Sequence, residues 1–229
     1  MLKFYFNGAP NPLKVALFLE ESGLPFEAVP VDTKLAQQHS PAYLAINPNA
    51  KVPAIVDGDV TVFDSNAILL YLAEKTGQFL PEDDPANRGA LLSWLMFIAS
   101  GIGPYSGQAV HFRNFAPGDH PDTRKRYSYE AQRHWQIIED RLAKGRYVMG
   151  DRYTILDMAL WGWAPRIPFM MGEEAAASFP NITRLMEELN ARPAAARALT
   201  LKDRHSFKQE MDDAAMRALY PQIFAPDQG

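Results

Sequence analysis

The chain has 229 residues, 47% of them hydrophobic and 22% charged, the composition of an ordinary globular protein with room for one large or two small domains. Its net charge of −4 argues against nucleic acid as the main partner. No apolar run reaches the ~18 residues that a membrane span needs. Cysteine is absent, which rules out a disulfide, a thiolate metal site and a cysteine nucleophile.

The opening residues, Met1-Leu2-Lys3-Phe4-Tyr5-Phe6, are too short and aromatic a run for a signal peptide and read as a strand, so a cytoplasmic location is expected. Asn7 to Pro12 reads as a loop, with Asn11 as helix cap and Pro12 in the first turn. Val15, Phe18 and Leu19 mark one face of a helix that stops at Gly23. Phe26 to Val31 is a second strand, and Ser40-Pro41 starts a short helix. Ala54-Ile55-Val56 and Val60 to Phe63 form a hairpin around Asp57-Gly58. Asp64-Ser65-Asn66 then opens a helix carrying Ile68, Leu69, Tyr71 and Leu72. This order predicts an α/β sheet of mixed parallel and antiparallel strands over residues 1–80.

A polar, proline-bearing linker follows at 81–86. Residues 87–200 show only helical spacing, so the second domain is expected to be all α. Gly101-Ile102-Gly103-Pro104 should kink or break its first helix. Tyr127 to Leu142 marks another helix, Tyr153 to Asp157 resembles a capping box with Asp in the Glu position, and Pro180 to Ala191 is amphipathic. A C-terminal extension, 201–229, has helical spacing at Met211, Ala215 and Leu219.

The stretch from Asn47 to Lys75 carries the chemistry. Pro53 stands at the mouth of a strand, lacks an N–H and is the residue type that accepts a cis bond, so the main chain of Val52 is expected to be free to pair with an extended peptide. The helix start at Asp64-Ser65 offers main-chain N–H groups and a positive dipole end to a carboxylate. The Ser65 hydroxyl can donate to that carboxylate, and Asp64 can accept from an ammonium. A small zwitterionic peptide fits this set. An ordinary hairpin followed by a capped helix would read the same.

Asn-Pro-x-x-Lys-Val-Pro, the hairpin, and Asp-Ser before an Ala-Ile-x-x-Tyr-Leu helix resemble the glutathione site of glutathione transferases. Asp64 stands where most relatives have Glu. The resemblance covers nearly the whole chain and is strongest to the bacterial nu class, of disulfide-bond oxidoreductase type. It implies a thioredoxin-like first domain, an all-helical second domain and a homodimer. It implies an enzyme that binds glutathione as co-substrate, without a metal, and passes its sulfur to a small electrophile or disulfide. Gln38 and Lys51 match positions that contact the glutathione backbone.

The family places its thiol-activating residue in the loop before the first helix. The nu class has Thr one residue before Pro-Asn, and this chain has Ala9, which leaves Asn11 as the main candidate. A plain cap residue would read the same. Tyr5 is the rival, since Tyr5-Phe6-Asn7-Gly8 resembles the strand end where other classes carry a catalytic tyrosine. That loop lacks their Arg-Gly, and a packing role is preferred for Tyr5. The second substrate is expected between the domains against the kinked helix near Tyr105, with Arg124 and Arg126 helping to hold a second glutathione. His111, Arg113 and His120 complete a charged cluster that reads equally as a solvated face. The histidines show no pair at ligand spacing. Some family members bind glutathione as regulatory or structural proteins, and Ala9 keeps that alternative open.

Overall fold

The computed structural model describes residues 1–224. Met1–Tyr71 together with the described residues from Arg197 to Phe224 make one compact unit, and Leu72–Ala196 make the other.

The first unit is built on β1 (Leu2–Phe6), α1 (Pro10–Ser22), β2 (Phe26–Pro30), α2 (Pro41–Leu44), β3 (Ala54–Asp57), β4 (Val60–Phe63) and the start of α3 (Ser65–Thr76). The sheet order is β2-β1-β3-β4, with β1 and β2 parallel and the other pairs antiparallel. The expected mixed sheet is thus present. Leu2, Phe4 and Phe6 are buried and Lys3 is exposed, the period-two alternation of a strand with one covered face. Asp57 pairs with Val60, so the hairpin loop is Gly58-Asp59, with Gly58 at φ +62° as a tight turn of this kind requires. Ser40 caps α2 by accepting from Tyr43 N at 3.3 Å.

Helix α1 corrects one expectation. Asn11 is not its cap. The helix begins at Pro10, its N-cap is Ala9, and no side chain makes a capping bond there. Proline's fixed φ suits the first helical position, so Pro10 extends the helix one turn position beyond the start that Pro12 indicated. Asn7 instead organises the turn, its Oδ1 accepting from Ala9 N at 2.9 Å. Val15 to Leu19 are all buried, so α1 is covered on more than the single face that its spacing indicated.

The second unit holds α4 (Pro85–Phe97), α5 (Gly103–Asn114), α6 (Pro121–Leu142), α7 (Ile155–Trp161), α8 (Ile167–Met171), α9 (Glu173–Ala176), α10 (Pro180–Asn190) and the first residues of α11 (Pro193–Thr200). Helix α4 starts at Pro85 rather than 87, because Asp84 caps it through Ala86 N and Asn87 N, both at 2.9 Å. The expected break appears as a π-turn over Ile98–Ile102, between α4 and α5. The Thr154/Asp157 capping box forms at the start of α7.

The last described stretch folds onto the first unit. Arg197 Nε bonds Glu20 Oε2 at 2.6 Å. The rings of His205 and Phe207 stand edge-on to Phe6 at 5.3 and 5.9 Å. Lys208 N donates to Asp32 Oδ2 at 2.6 Å, and Lys34 Nζ to the carbonyl of Gln209 at 2.7 Å. Helix α12 (Asp213–Leu219) is capped by Asp212 through Ala215 N, and α13 (Pro221–Phe224) is a single turn. The part of the C-terminal extension beyond 224 lies outside the described residues.

Candidate glutathione site

The loop from Asn47 to Pro53 is fixed from within. Asn47 is buried, and its Nδ2 donates to the carbonyl of Lys51 at 2.6 Å. The same carbonyl accepts from the Tyr43 hydroxyl at 2.7 Å. Two donors on one carbonyl hold the main chain just before Val52. The Val52–Pro53 peptide bond is cis. Neither the N–H nor the C=O of Val52 is hydrogen-bonded to another described residue. That leaves one donor and one acceptor at the mouth of β3, the pattern that an added peptide strand completes. Pro53 is buried, and the side chain of Lys51 is exposed.

Ala54 pairs with Phe63, so the end of β4 lies beside the mouth of β3; just past it, Asp64 adopts φ +73°, a left-handed conformation unusual for a residue other than glycine. Its Oδ1 accepts from Asn66 N at 2.9 Å and Ala67 N at 3.1 Å. The sequence expectation of several open N–H groups is corrected here. Asp64 caps α3 and takes two of them, leaving the N–H of Ser65 without an acceptor among the described residues.

Ser65 is buried, and its Oγ lies 3.3 Å from Nζ of Lys14, which is itself buried in α1. Sequence reasoning missed Lys14. The signal available was a lone lysine inside the apolar run Leu13 to Leu19. Burial pulls the Lys14 ammonium down from 10.5 to about 8, against the opposing charge of Asp64. No carboxylate of the described residues lies within ion-pair distance of it.

Asn11 lies at the second position of α1, between Pro10 and Pro12. Leu13 N donates to the carbonyl of Ala9 at 3.3 Å, and the prolines on either side of Asn11 have no N–H to offer. The expected convergence of several first-turn N–H groups on one anion is therefore corrected: Pro10 and Pro12 have none, and that of Leu13 is used. Tyr5 is half-buried and packs with Tyr43, ring centroids 5.8 Å apart, in a cluster that includes Val31 and Ala54. That is the packing role preferred for it.

Gln38 is buried rather than solvated, and its Nε2 donates to the carbonyl of Ala218 at 3.0 Å. The C-terminal segment thus takes one of the two N–H donors of a residue that the resemblance assigned to glutathione. Gln38 Oε1 is buried with no partner among the described residues.

Tyr105, Arg124 and Arg126 belong to the second unit. The Tyr105 ring packs on His134 at 4.7 Å and Tyr127 at 6.4 Å, both on α6. Arg124 pairs with Asp119, and Arg126 with Glu130 at 3.4 Å. Both partners of the Arg124 pair are exposed, so it is weak, whereas Glu130 is buried and also pairs with Arg133. Trp161 and Met170 are buried core, while Phe169 is exposed. Among the described residues, no group of three or more His, Asp or Glu could hold a metal ion, and no helix is long and apolar enough to cross a membrane.

Comparison with known proteins agrees with this geometry. The model of the glutathione S-transferase N-terminal domain matches residues 2–74, and that of the C-terminal domain matches residues 121–192. The disulfide-bond oxidoreductase YfcG of Escherichia coli (strain K12) is 38% identical over 206 residues, covering 87% of this chain and 94% of that protein. A glutathione transferase family member from Pseudomonas fluorescens pf-5, solved with two glutathione bound, superposes with a TM-score of 0.81 at 36% identity, covering 86% of this chain and 92% of that one. A glutathione transferase from Pseudomonas putida, solved with one glutathione disulfide per subunit, superposes at 0.79 and 35% identity, covering 87% of this chain and 91% of that one. With both domain models matched and this identity over most of both chains, the chain belongs to the glutathione transferase family.

Proposed function

We propose that this protein is a glutathione transferase that binds glutathione along Val52 and Ser65, holds its sulfur as thiolate, and passes it to small electrophiles and disulfides. The observation that carries this reading is the pair of unspent groups at the open end of the β3–β4 hairpin: the Val52 main chain and the Ser65 N–H and hydroxyl. A peptide bearing a carboxylate uses both. Asp64 and Lys51 flank them with opposite charges.

Thiolate formation is energetically within reach. A free thiol has a pKa of about 8.5. Lowering it by about two units takes roughly 2.7 kcal/mol. A hydrogen bond to a charged group contributes roughly 1.5–3 kcal/mol, and a helix N-terminus about 0.3–1 kcal/mol. Asn11 combines an amide donor with that helix start, so it is the proposed activator in place of the hydroxyl missing at Ala9.

Disulfide reduction then needs two glutathiones, because the chain has no cysteine of its own. The first thiolate attacks the substrate disulfide, forming a mixed disulfide and releasing one substrate thiolate, which takes up a proton. The second attacks the glutathione sulfur of that mixed disulfide, giving glutathione disulfide and the second substrate thiol. The substrate gains the two electrons that the glutathiones lose. Tyr105, Arg124 and Arg126 are proposed to help hold the second molecule. A homodimer in the cytoplasm completes the reading, and sedimentation of the purified chain tests the dimer.

Turnover of hydroxyethyl disulfide with glutathione above the uncatalysed rate is expected. If only an aryl halide is turned over, the protein is a conjugating transferase. Ala9 favours a second reading, a glutathione-binding protein without catalysis. Ultraviolet absorbance of bound thiolate separates the two: its absence at neutral pH, with binding intact, establishes the second.

A further inference from the structure

Lys14 is a buried cation that the reading above does not use. Its ammonium can only donate. Its one hydrogen-bond partner among the described residues is Ser65 Oγ, and no carboxylate pairs with it. Because Ser65 Oγ accepts from Lys14, the hydroxyl keeps its own proton to donate, and no described residue accepts that proton. The carboxylate of Asp64 acts on Lys14 through space but is committed to the main chain of α3 through Oδ1. A positive charge therefore sits unneutralised beneath a helix N-terminus that also offers a free N–H and a free hydroxyl proton. In a site of low dielectric such a charge is costly when alone and strongly attractive to an anion.

We propose that Lys14 is a positioning residue of the carboxylate site: its ammonium fixes Ser65 Oγ as an acceptor, so that the hydroxyl donates to the α-carboxylate of the γ-glutamyl end, and supplies the charge which that carboxylate neutralises. The inference rests on glutathione binding at Ser65 and adds a residue buried under the site rather than lining it. A lysine kept only for packing would be replaceable by an apolar chain of the same length without loss of ligand preference. A lysine acting through Ser65 would not.

Calorimetric titration of S-methylglutathione, which has no thiol to titrate, provides the test. It is compared with the analogue in which the γ-glutamyl α-carboxylate is replaced by hydrogen, on wild type, Lys14→Met, Lys14→Gln and Ser65→Ala. Wild type is expected to prefer S-methylglutathione by at least about tenfold, the size of one hydrogen bond to a charged group. In both Lys14 variants, shown folded by thermal melts, that preference should fall to within a few-fold, as it should in Ser65→Ala. If the folded Lys14 variants keep the wild-type preference while Ser65→Ala loses it, Lys14 has no positioning role and the binding site at Ser65 stands. If wild type binds neither ligand, the reading of the site fails and the role of Lys14 fails with it.

Discussion

Two helix starts in this protein use similar residues to opposite ends. At α7, Asp157 is fully buried, and its carboxylate accepts from Val148 N at 3.0 Å and Thr154 N at 2.9 Å, while Thr154 Oγ1 accepts from Leu156 N at 3.3 Å. Every group of that cap is spent on the protein itself. At α3, Asp64 caps in a similar way, but the Ser65 N–H, the Ser65 hydroxyl proton and the buried Oδ1 of Asn66 have no partner among the described residues. A saturated polar set holds a fold together. An unsaturated one, kept in place by its neighbours, is what a ligand can complete.

The sharpest way to break this comparison is at α7. Asp157→Ala leaves two buried N–H groups unpaired and should destabilise the second unit by about 3 kcal/mol or more. The corresponding loss in melting temperature should appear without a weaker affinity for S-methylglutathione at temperatures where the variant is folded. Weaker binding there would show that α7 is part of the ligand site.

Lys14→Met should behave in the reverse manner, binding worse without losing stability. Burial lowers the folded-state pKa of Lys14 from 10.5 to about 8, so below about pH 8 the folded protein bears the cost of a buried charge. Between about pH 8 and 10.5 the unfolded chain binds more protons than the folded one, and stability rises with pH through that window. The variant should thus be more stable than wild type at pH 7 by roughly 3 kcal/mol, and the gap should close as the pH rises past 8. Denaturant melts of both proteins at pH 7 and pH 9.5 measure it, and a gap that widens with pH contradicts the assignment.

Asn11→Ala should reduce kcat/KM at least tenfold, or about 1.4 kcal/mol of transition-state stabilisation, while Tyr5→Phe stays within a few-fold. Asn11 is not the N-cap of α1, so a lost cap is not the expected cause, and thermal melts of both variants accompany the kinetics. Activity abolished by Tyr5→Phe and retained by Asn11→Ala would reverse the assignment. The smallest effect is expected for Ser65→Ala, which should weaken glutathione by about 1 kcal/mol or more. It also strips Lys14 of its one hydrogen-bond acceptor, so melts must accompany the calorimetry. Unchanged affinity counts against the site.

Much of the fold was legible because the relevant signals are local. Alternation at Leu2, Phe4 and Phe6, the turn at Gly58, the cap at Ser40, the broken helix around Gly101 to Pro104 and the Thr154/Asp157 box each depend on a few neighbouring residues. The start of α1 was misread because Pro10 and Pro12 both suit a first turn, and local preference does not choose between them. Gln38 was expected in a loop open to ligand or solvent, and nothing near it in the chain reveals that the C-terminal segment covers it.

The sequence by itself determined the order of elements, the Thr154/Asp157 capping box, the Val-Pro strand mouth and the dependence on an external thiol. Turn, cap and alternation energies act over the span of a turn or a strand, so they are readable where they occur. Only the tertiary structure decided which caps are spent and which are open. Lys14 meets Ser65 across 51 positions of chain, and Gln38 meets Ala218 across 180. A lysine in a helix is ordinarily read as facing water. Packing α1 on nearly all sides placed this one under the helix start at Ser65, where no carboxylate of the described residues pairs with it.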